Sequence, residues 1–290
     1  MEFGAHLPVL SLAGEAWSID RLTVYARTAS QLGFRVLSAN DHMVYSRPHL
    51  DALTALTVAM ESSGQMTLMT SIALLVIRGA APMAKALAAI DVLSGGRLIV
   101  GAGPGSSAKD YETVGVPFEE RWKRFDELVP ALRRMWKELE PHPAQDPIPV
   151  WIGSWGSEAG LQRTARLGDG WLASAYNTTP AKFGEDLKKL RAFLSNRHRD
   201  AYGFPNGIAT MFVHVTDRPA EADEVLTLLS GVLRRPSAEL GDRFLVGPAS
   251  ECVEKIRAYE GAGAQRILLW PVRNELQQLE LFMARVGRQT

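Results

Sequence analysis

The sequence predicts an α/β fold, the (β/α)₈ or TIM barrel, on three observations. Short β-type runs alternate along the chain with longer stretches of helical period, the order of parallel strands joined by crossover helices. Eight strand candidates occur, each followed by a helical pattern. A succession of helix, glycine and strand recurs at residues 29–37, 165–172 and 261–269. Eight similar units favour a closed barrel over a doubly wound open sheet, which usually has fewer strands.

The first unit shows why each segment is assigned as it is. Residues 3–9 form a strand candidate, and Ser18 or Asp20 can then cap a helix. Its apolar residues recur at the spacing of one helical face, namely Ile19, Leu22, Tyr25, Ala26, Ala29 and Leu32. Gly33 follows in the position that favours a left-handed conformation after a helix, so the chain turns there into the second strand.

The remaining elements follow in the same alternation. From Phe118 to Leu139 apolar and aromatic residues recur every three or four positions, which predicts a long amphipathic helix whose aromatic face belongs to the core or a subunit interface. A proline-rich connector at 140–149 and a helix at 158–167 come next. We predict one domain over residues 1–290. Its strand candidates span 3–9, 35–39, 67–73, 98–102, 150–153, 170–174, 208–215 and 266–270.

Composition excludes several classes of protein. The 290 residues carry 32 basic and 32 acidic side chains, so the net charge is zero and no nucleic-acid partner is expected. The longest apolar run, residues 66–77, is shorter than the roughly 20 residues that cross a bilayer, so no membrane partner is expected either. No signal segment is recognised at the N-terminus, and Cys252 is the only cysteine, so we expect a reducing, cytoplasmic location.

In a barrel of this kind the active site lies on the loops after the strands. Asp41 and His42 follow the second strand and offer a titrating imidazole beside a carboxylate, which suits proton transfer near neutral pH. The alternative is that Asp41 caps a helix and His42 is simply exposed. His6, at the end of the first strand, either points into the mouth or is a hydrogen-bonded core residue.

Two further loops suit a cofactor. Glycines 101, 103 and 105 do not form a dinucleotide fingerprint, because position 106 is Ser and no helix is predicted after Pro104. They either let a planar ring approach the backbone or form an ordinary turn. Gly156 and Ser157 precede a helix whose free amide groups favour a phosphate, unless Ser154 or Ser157 simply caps it.

Other chemistries lack their residues in the sequence. There is no His-x-His pair and no cysteine cluster, so no metal site is expected. No lysine falls in a strand candidate, which argues against a Schiff-base aldolase, and Gly-x-Ser-x-Gly is absent. The sequence therefore favours a reaction in which a cofactor supplies the chemistry.

The run LSGGRLIVGAGPG at 93–105 resembles the most characteristic stretch of the bacterial luciferase-like flavin- and F420-dependent oxidoreductases. The segments GVPFEER at 115–121, LGDGW at 167–171 and VGP at 246–248 match in the same order, so the resemblance covers nearly the whole chain. It implies a luciferase-like (β/α)₈ barrel with FMN or the deazaflavin F420 in its mouth. It also implies a homodimer.

The resemblance assigns roles to particular residues. It implies a cis peptide bond between Ser71 and Ile72 behind the flavin ring, and it places Asp41 and His42 beside that ring. Gly103 and Ser106 would also line the ring, and Gly156 and Ser157 would receive the cofactor phosphate, with Trp155 beside them. One position departs from the pattern. F420-dependent sugar-phosphate dehydrogenases carry a glutamate acid where this chain has Ser106, which argues against a sugar-phosphate substrate.

From these residues we expect an F420-dependent oxidoreductase that exchanges a hydride with a small organic substrate and uses His42 for proton transfer. An FMN-dependent monooxygenase is the first alternative, although those enzymes generally carry longer insertions. A barrel that binds a phosphorylated ligand without redox chemistry is the second. The identity of the substrate does not follow from the sequence, since it depends on loop conformations.

Overall fold

Parallel strands close into a barrel in the computed structural model, which describes residues 1–12 and 14–290. The barrel order is β1, β2, β3, β4, β5, β6, β7 and β9, with β9 paired to β1 again. The predicted (β/α)₈ fold is confirmed. The strands are β1 (Glu2–His6), β2 (Val36–Ala39), β3 (Thr67–Leu74), β4 (Leu98–Gly103), β5 (Val150–Gly153), β6 (Gly170–Ser174), β7 (Asn206–Val215), β8 (Leu245–Gly247) and β9 (Arg266–Pro271).

Two strand predictions need correction. The first strand ends at His6 rather than at residue 9, because Pro8 has no amide hydrogen and the Val9 amide turns back to the Leu7 carbonyl. A short strand, β8, was not predicted, since three residues are too few to show a period. It pairs with Val213–Val215 of β7 and so extends one side of the barrel wall near the mouth.

Helices alternate with the strands around the outside. They are α1 (Ile19–Gln31), α2 (Ala52–Ala59), α3 (Leu75–Arg78), α4 (Ala80–Ser94), α5 (Ala108–Thr113), α6 (Arg121–Glu138), α7 (Glu158–Leu167), α8 (Pro180–Ser195), α9 (Pro219–Leu233), α10 (Ser237–Arg243), α11 (Ala249–Gly261) and α12 (Glu275–Arg285). In the part of the chain that is described, no helix has the length and apolar character needed to span a bilayer.

Local sequence accounts for the helix ends. The Ser18 hydroxyl caps α1 by accepting from the Arg21 amide, and Gly33 follows with φ +90°, as predicted. The prediction that no helix opens after Pro104 is wrong. Ser107 accepts from the Asp110 amide and begins the short helix α5.

The long amphipathic helix is α6, with Phe125, Val129, Leu132 and Trp136 buried. The expectation that its aromatic face belongs to the core or a subunit interface is wrong at one end of the helix. Phe118, just before α6, and Trp122, in its first turn, line the cavity described below. The aromatic pattern runs from the core to the mouth.

A small apolar cluster fills the inside of the barrel. It consists of Val36, Met69, Trp151, Leu172, Ala209 and Leu268, with Ile72 and Ile99 packed against it. Three of these residues, Ile72, Leu172 and Ala209, also line the cavity. The closed interior therefore forms the floor of the site, and the strands present their carboxyl ends to it.

Candidate functional site

A cavity of about 470 Å³ occupies the mouth of the barrel, within the usual range for small-molecule sites. Seven of the nine residues predicted for the site line it, namely Asp41, His42, Ser71, Ile72, Ser106, Trp155 and Ser157. The fold thus brings together residues that lie more than 100 positions apart in the sequence.

Asp41 is held by an arginine that the sequence did not identify. Arg78, at the end of α3, donates from Nε to Asp41 Oδ2 at 2.7 Å and from Nη2 to Oδ1 at 2.6 Å. The Leu74 amide donates to Oδ2 at 3.2 Å, and Arg78 also pairs with Asp51. The Asp41 carboxylate is therefore neutralised and fixed, and it is not the partner of the neighbouring imidazole.

His42 pairs instead with Asp110 on α5. His42 Nδ1 lies 2.9 Å from Asp110 Oδ2, and the amides of Met43 and Val44 donate to Oδ1 at 3.0 and 2.7 Å. Burial acts to raise the pKa of Asp110, but the hydrogen bonds from His42 and Val44 outweigh it and the pKa is lowered. An ionised carboxylate only accepts, so Nδ1 carries the proton and Nε2 is left for a ligand. This corrects the expectation that Asp41 tunes His42.

A buried network lies under this part of the cavity. His6 is buried, its ring stacked on Trp270 with centroids 3.6 Å apart, so it is a hydrogen-bonded core residue. Its Nε2 accepts from the backbone amide of Asn40 at 3.3 Å, and its Nδ1 lies 3.0 Å from Ser38 Oγ. Burial lowers its pKa to about 3, which keeps the ring neutral.

His49 completes the network from the other side of Asn40. His49 Nδ1 lies 2.6 Å from the Leu50 carbonyl, which can only accept, so Nδ1 carries the proton of this ring. Burial and the nearby His42 lower the pKa of His49 to about 4. The Nε2 atoms of His6 and His49 each lie 3.1 Å from Asn40 Oδ1, so Asn40 joins the two rings under the cavity.

The bond between Ser71 and Ile72 is cis, as the resemblance implied. The Ile72 side chain sits between two glycines. A Cβ on Gly103 would lie 2.4 Å from Ile72 Cδ1, and one on Gly153 would lie 3.1 Å from Cγ2. Gly103 therefore does not line the cavity as predicted. It lies behind Ile72 and leaves room for it.

The other end of the cavity lies between β5 and α7. The Ser157 hydroxyl caps α7 by accepting from the Gly160 amide at 3.2 Å, and a phosphate at the same end stays a prediction. Gly156 has φ +84°, and a Cβ there would lie 1.9 Å from Asp186 Oδ2 of α8. Gly156 thus lies behind the wall that Trp155 and Ser157 form, and Trp155 is 51% exposed.

Arg121 adds a positive charge to the cavity lining. Its guanidinium lies 3.8 Å from the centre of the Phe118 ring, and it donates to the Phe118 carbonyl at 3.0 Å. The neighbouring Trp122 stacks under Arg163 of α7 at 4.4 Å. Sequence reasoning missed Arg121, Arg78 and Asp110, since nothing local marks a side chain whose partner is distant. Within residues 1–12 and 14–290, no three His, Cys, Asp or Glu side chains are grouped to hold a metal ion.

Comparisons with known proteins add to this geometry. A family model described as luciferase-like monooxygenase matches residues 1–266. An uncharacterized protein of Mycobacterium tuberculosis is 30% identical over 194 residues, which are 61% of this chain and 66% of that protein. An F420-dependent hydroxymycolic acid dehydrogenase of the same species is 27% identical over 198 residues, 59% of this chain and 53% of that protein. The chain thus spans less than two thirds of either relative.

An F420-dependent glucose-6-phosphate dehydrogenase of Segniliparus rotundus is 23% identical over 93% of both chains. Among solved structures, an F420-dependent secondary alcohol dehydrogenase in complex with an F420-acetone adduct superposes with a TM-score of 0.87 at 15% identity, covering 100% of this chain and 99% of that one. The oxygenating constituent of 3,6-diketocamphane monooxygenase from Pseudomonas putida, in complex with FMN, gives a TM-score of 0.75 at 14% identity, covering 99% and 98%. These likenesses show a shared fold.

Proposed function

The chain belongs to the luciferase-like monooxygenase family, and on that premise we propose that it is an F420-dependent oxidoreductase, which exchanges a hydride between the deazaflavin and an organic substrate in the barrel mouth. The observation that carries the proposal is the His42–Asp110 pair on the cavity wall. Oxidation of an alcohol releases a proton together with the hydride, and a fixed imidazole is suited to accept that proton near neutral pH.

As a member of this family the chain is an F420- or flavin-dependent oxidoreductase whose cofactor is a deazaflavin or a flavin. Two relatives and one similar structure named above depend on F420, which supports that choice. The FMN complex among the similar structures supports an FMN-dependent monooxygenase as the second candidate.

The cavity wall fits the ring of such a cofactor. Ile72, fixed in its slot between Gly103 and Gly153, offers a firm apolar surface to one face. Ser71, Ser106 and Asn40 offer neutral hydrogen-bonding groups for the polar edge. Trp270 Nε1 is buried without an acceptor among the described residues, which is uncommon for a native donor and is consistent with a ligand oxygen at this wall.

We assign the phosphate of the cofactor to the end formed by Trp155, Ser157 and the start of α7. The first amide groups of α7 have no acceptor within the helix, and they carry partial positive charge. Arg121, which also lines the cavity, supplies a full positive charge. An anion at this end is therefore stabilised by both.

The bound cofactor supplies the hydride acceptor or donor. In the oxidative direction the carbinol C–H and O–H bonds of the substrate break and a C=O bond forms. A bound deazaflavin would take the hydride, and His42 Nε2 is placed to take the proton. Asp110 keeps Nδ1 protonated, so Nε2 enters the reaction as an acceptor, and its charge balances the imidazolium that results. In the reductive direction the imidazolium returns the proton.

Titration of the purified protein with F420 and with FMN, followed by quenching of cofactor fluorescence, tests the choice of cofactor. We expect tighter binding of F420 and a protein isolated without bound FMN. Tighter binding of FMN, or a yellow protein as isolated, would favour the monooxygenase. A His42→Ala variant tests for a binder without redox chemistry, since a pure binder has no turnover to lose. The homodimer and the cytoplasmic location expected from the sequence stay predictions.

A further inference from the structure

We propose that the substrate of this site is a neutral, largely apolar alcohol or its ketone, and that compounds carrying a phosphate or carboxylate on the substrate side are rejected. The inference rests on the proposed function and adds the class of substrate. It comes from the uneven distribution of charge around the cavity.

Few charged side chains line the mouth. Three of the described residues that line the cavity are of the Asp, Glu, His, Lys or Arg type, namely Asp41, His42 and Arg121. Asp41 is neutralised by Arg78, and Arg121 lies against Phe118 beside Trp122 and α7. Arg121 is thus the one Lys or Arg side chain among the described residues that line the cavity, and we assign its charge to the cofactor phosphate.

A second group of lining residues is apolar and aromatic. It is formed by Leu10, Tyr45, Tyr176, Phe212, Leu233 and Trp270, and we call these six residues the apolar half. The rings of Phe212 and Trp270 meet edge to face with centroids 5.3 Å apart. The Tyr45 ring lies 4.6 Å from the His42 ring, so the apolar half begins at the imidazole that handles the proton.

The two tyrosines of the apolar half stay uncharged. Burial raises the pKa of both Tyr45 and Tyr176, and Tyr45 is raised further by its proximity to Tyr176. Tyr45 follows β2 and Tyr176 follows β6, so loops from distant parts of the barrel both contribute to this part of the cavity lining.

The hydroxyl groups next to the apolar half offer acceptors rather than donors. Thr210 Oγ1 donates to the Ala209 carbonyl at 2.6 Å, so the 2.9 Å contact between Ser174 Oγ and Thr210 Oγ1 uses the Ser174 proton. Both protons are then committed, and the pair presents lone pairs to the cavity. An anion that leaves water is stabilised best by a cation, whereas the donors of the apolar half, the hydroxyl groups of Tyr45 and Tyr176 and Trp270 Nε1, are all neutral. An uncharged chain instead gains from burial against the aromatic rings.

Two substrates of equal length test the inference. With F420-loaded enzyme, octan-2-ol and 7-hydroxyoctanoate present the same secondary alcohol, and only the second ends in a carboxylate. We expect kcat/KM to be about 100-fold higher for octan-2-ol, because burial of an unpaired carboxylate is costly. Equal or higher kcat/KM for 7-hydroxyoctanoate would overturn the inference and leave the proposed function intact.

Equilibrium binding distinguishes a failure of the proposed function from a failure of the inference on the substrate class. Quenching of tryptophan fluorescence measures binding of either compound without turnover, since Trp270 lies in the apolar half. If neither compound reduces F420 but octan-2-ol binds more tightly, the proposed function fails and the inference on the apolar half stands. If neither compound binds, or 7-hydroxyoctanoate binds more tightly, the inference is wrong.

A charge placed in the apolar half gives a second test. Leu233, at the end of α9, lines the cavity, whereas Leu276 on α12 is 37% exposed outside it. We expect Leu233→Lys to raise the relative kcat/KM for 7-hydroxyoctanoate by about tenfold, through the new ion pair. The same substitution at the control position, Leu276→Lys, should leave the preference unchanged. Equal preferences in the two variants would contradict the assignment of Leu233 to the substrate side.

Discussion

His42 Nδ1 lies 2.9 Å from Asp110 Oδ2, although the carboxylate next to His42 in the chain belongs to Asp41. Asp41 is instead engaged by Arg78. The imidazole is therefore oriented by a carboxylate 68 positions away, on the short helix α5, and this carboxylate is further fixed by two backbone amides. Within the proposed function Asp110 is a positioning residue that acts through His42.

Replacement of Asp110 by Asn should lower kcat about 100-fold while F420 still binds. The amide can donate to Nδ1 and impose the wrong tautomer on His42. The acidic limb of the kcat/KM profile should also move to lower pH, because the imidazolium loses its countercharge. Asp217→Asn, which breaks an exposed pair with Arg285, is the matched control and should change neither. An unchanged kcat in Asp110→Asn would show that Asp110 does not position His42 for catalysis.

Replacement of Gly103 by Ala should force Ile72 out of its slot, since the new Cβ would lie 2.4 Å from Ile72 Cδ1. We expect a loss of about 1–3 kcal/mol in the free energy of unfolding, measured in urea. F420 should bind about tenfold more weakly by fluorescence titration, a cost of about 1.4 kcal/mol. Gly231→Ala, in an open position on α9, should stabilise the protein or leave it unchanged. Unaltered F420 affinity in Gly103→Ala would mean that Ile72 does not support the ring.

Removal of the Ser157 hydroxyl should affect both α7 and the cofactor phosphate. Ser157→Ala and Ser18→Ala each remove a helix cap, so each should cost about 1 kcal/mol in the free energy of unfolding. Only Ser157→Ala should also weaken F420 binding, because Ser18 lies on α1, outside the cavity lining. The assignment of the phosphate end is wrong if both variants bind F420 as the wild type does.

Stability should fall as the pH is lowered from about 6.5 towards 4. Burial lowers the pKa of His6 to about 3 and that of His49 to about 4, so the folded protein keeps both rings neutral while the unfolded chain protonates them. Each ring should cost about 1.4 kcal/mol per pH unit within this window. Urea midpoints across the range measure the slope. His49→Gln should make it shallower, whereas the exposed His142→Gln should not. A flat wild-type profile would contradict the burial of neutral imidazoles.

The barrel is largely predictable from sequence because its signals are local. The helical period, the Ser18 cap and Gly33 each depend on residues within one or two turns, and the structure has them as predicted except that Ile19, at the start of the apolar face, is exposed. The two wrong strand predictions also have local causes. Three residues of β8 are too few to show a period, and Pro8 ends β1 early.

The site is predictable only in part because side-chain partners are set by the closure of the barrel. Strand order places Asp41, Ser71 and Ser157 at one rim, so that juxtaposition follows from the fold class. No sequence pattern states that Asp110 reaches His42 or that Arg78 takes Asp41. Gly103 and Gly156 were read as ring and phosphate contacts, but they make room for Ile72 and Asp186.

A crystal structure of the protein soaked with F420 tests the central claim most directly. We expect the deazaflavin ring to lie against the Ser71–Ile72 segment, its phosphate at Ser157 and the start of α7, and His42 Nε2 to face the space left for substrate. A ring bound elsewhere, or a mouth that takes FMN and excludes F420 under the same conditions, would contradict the account.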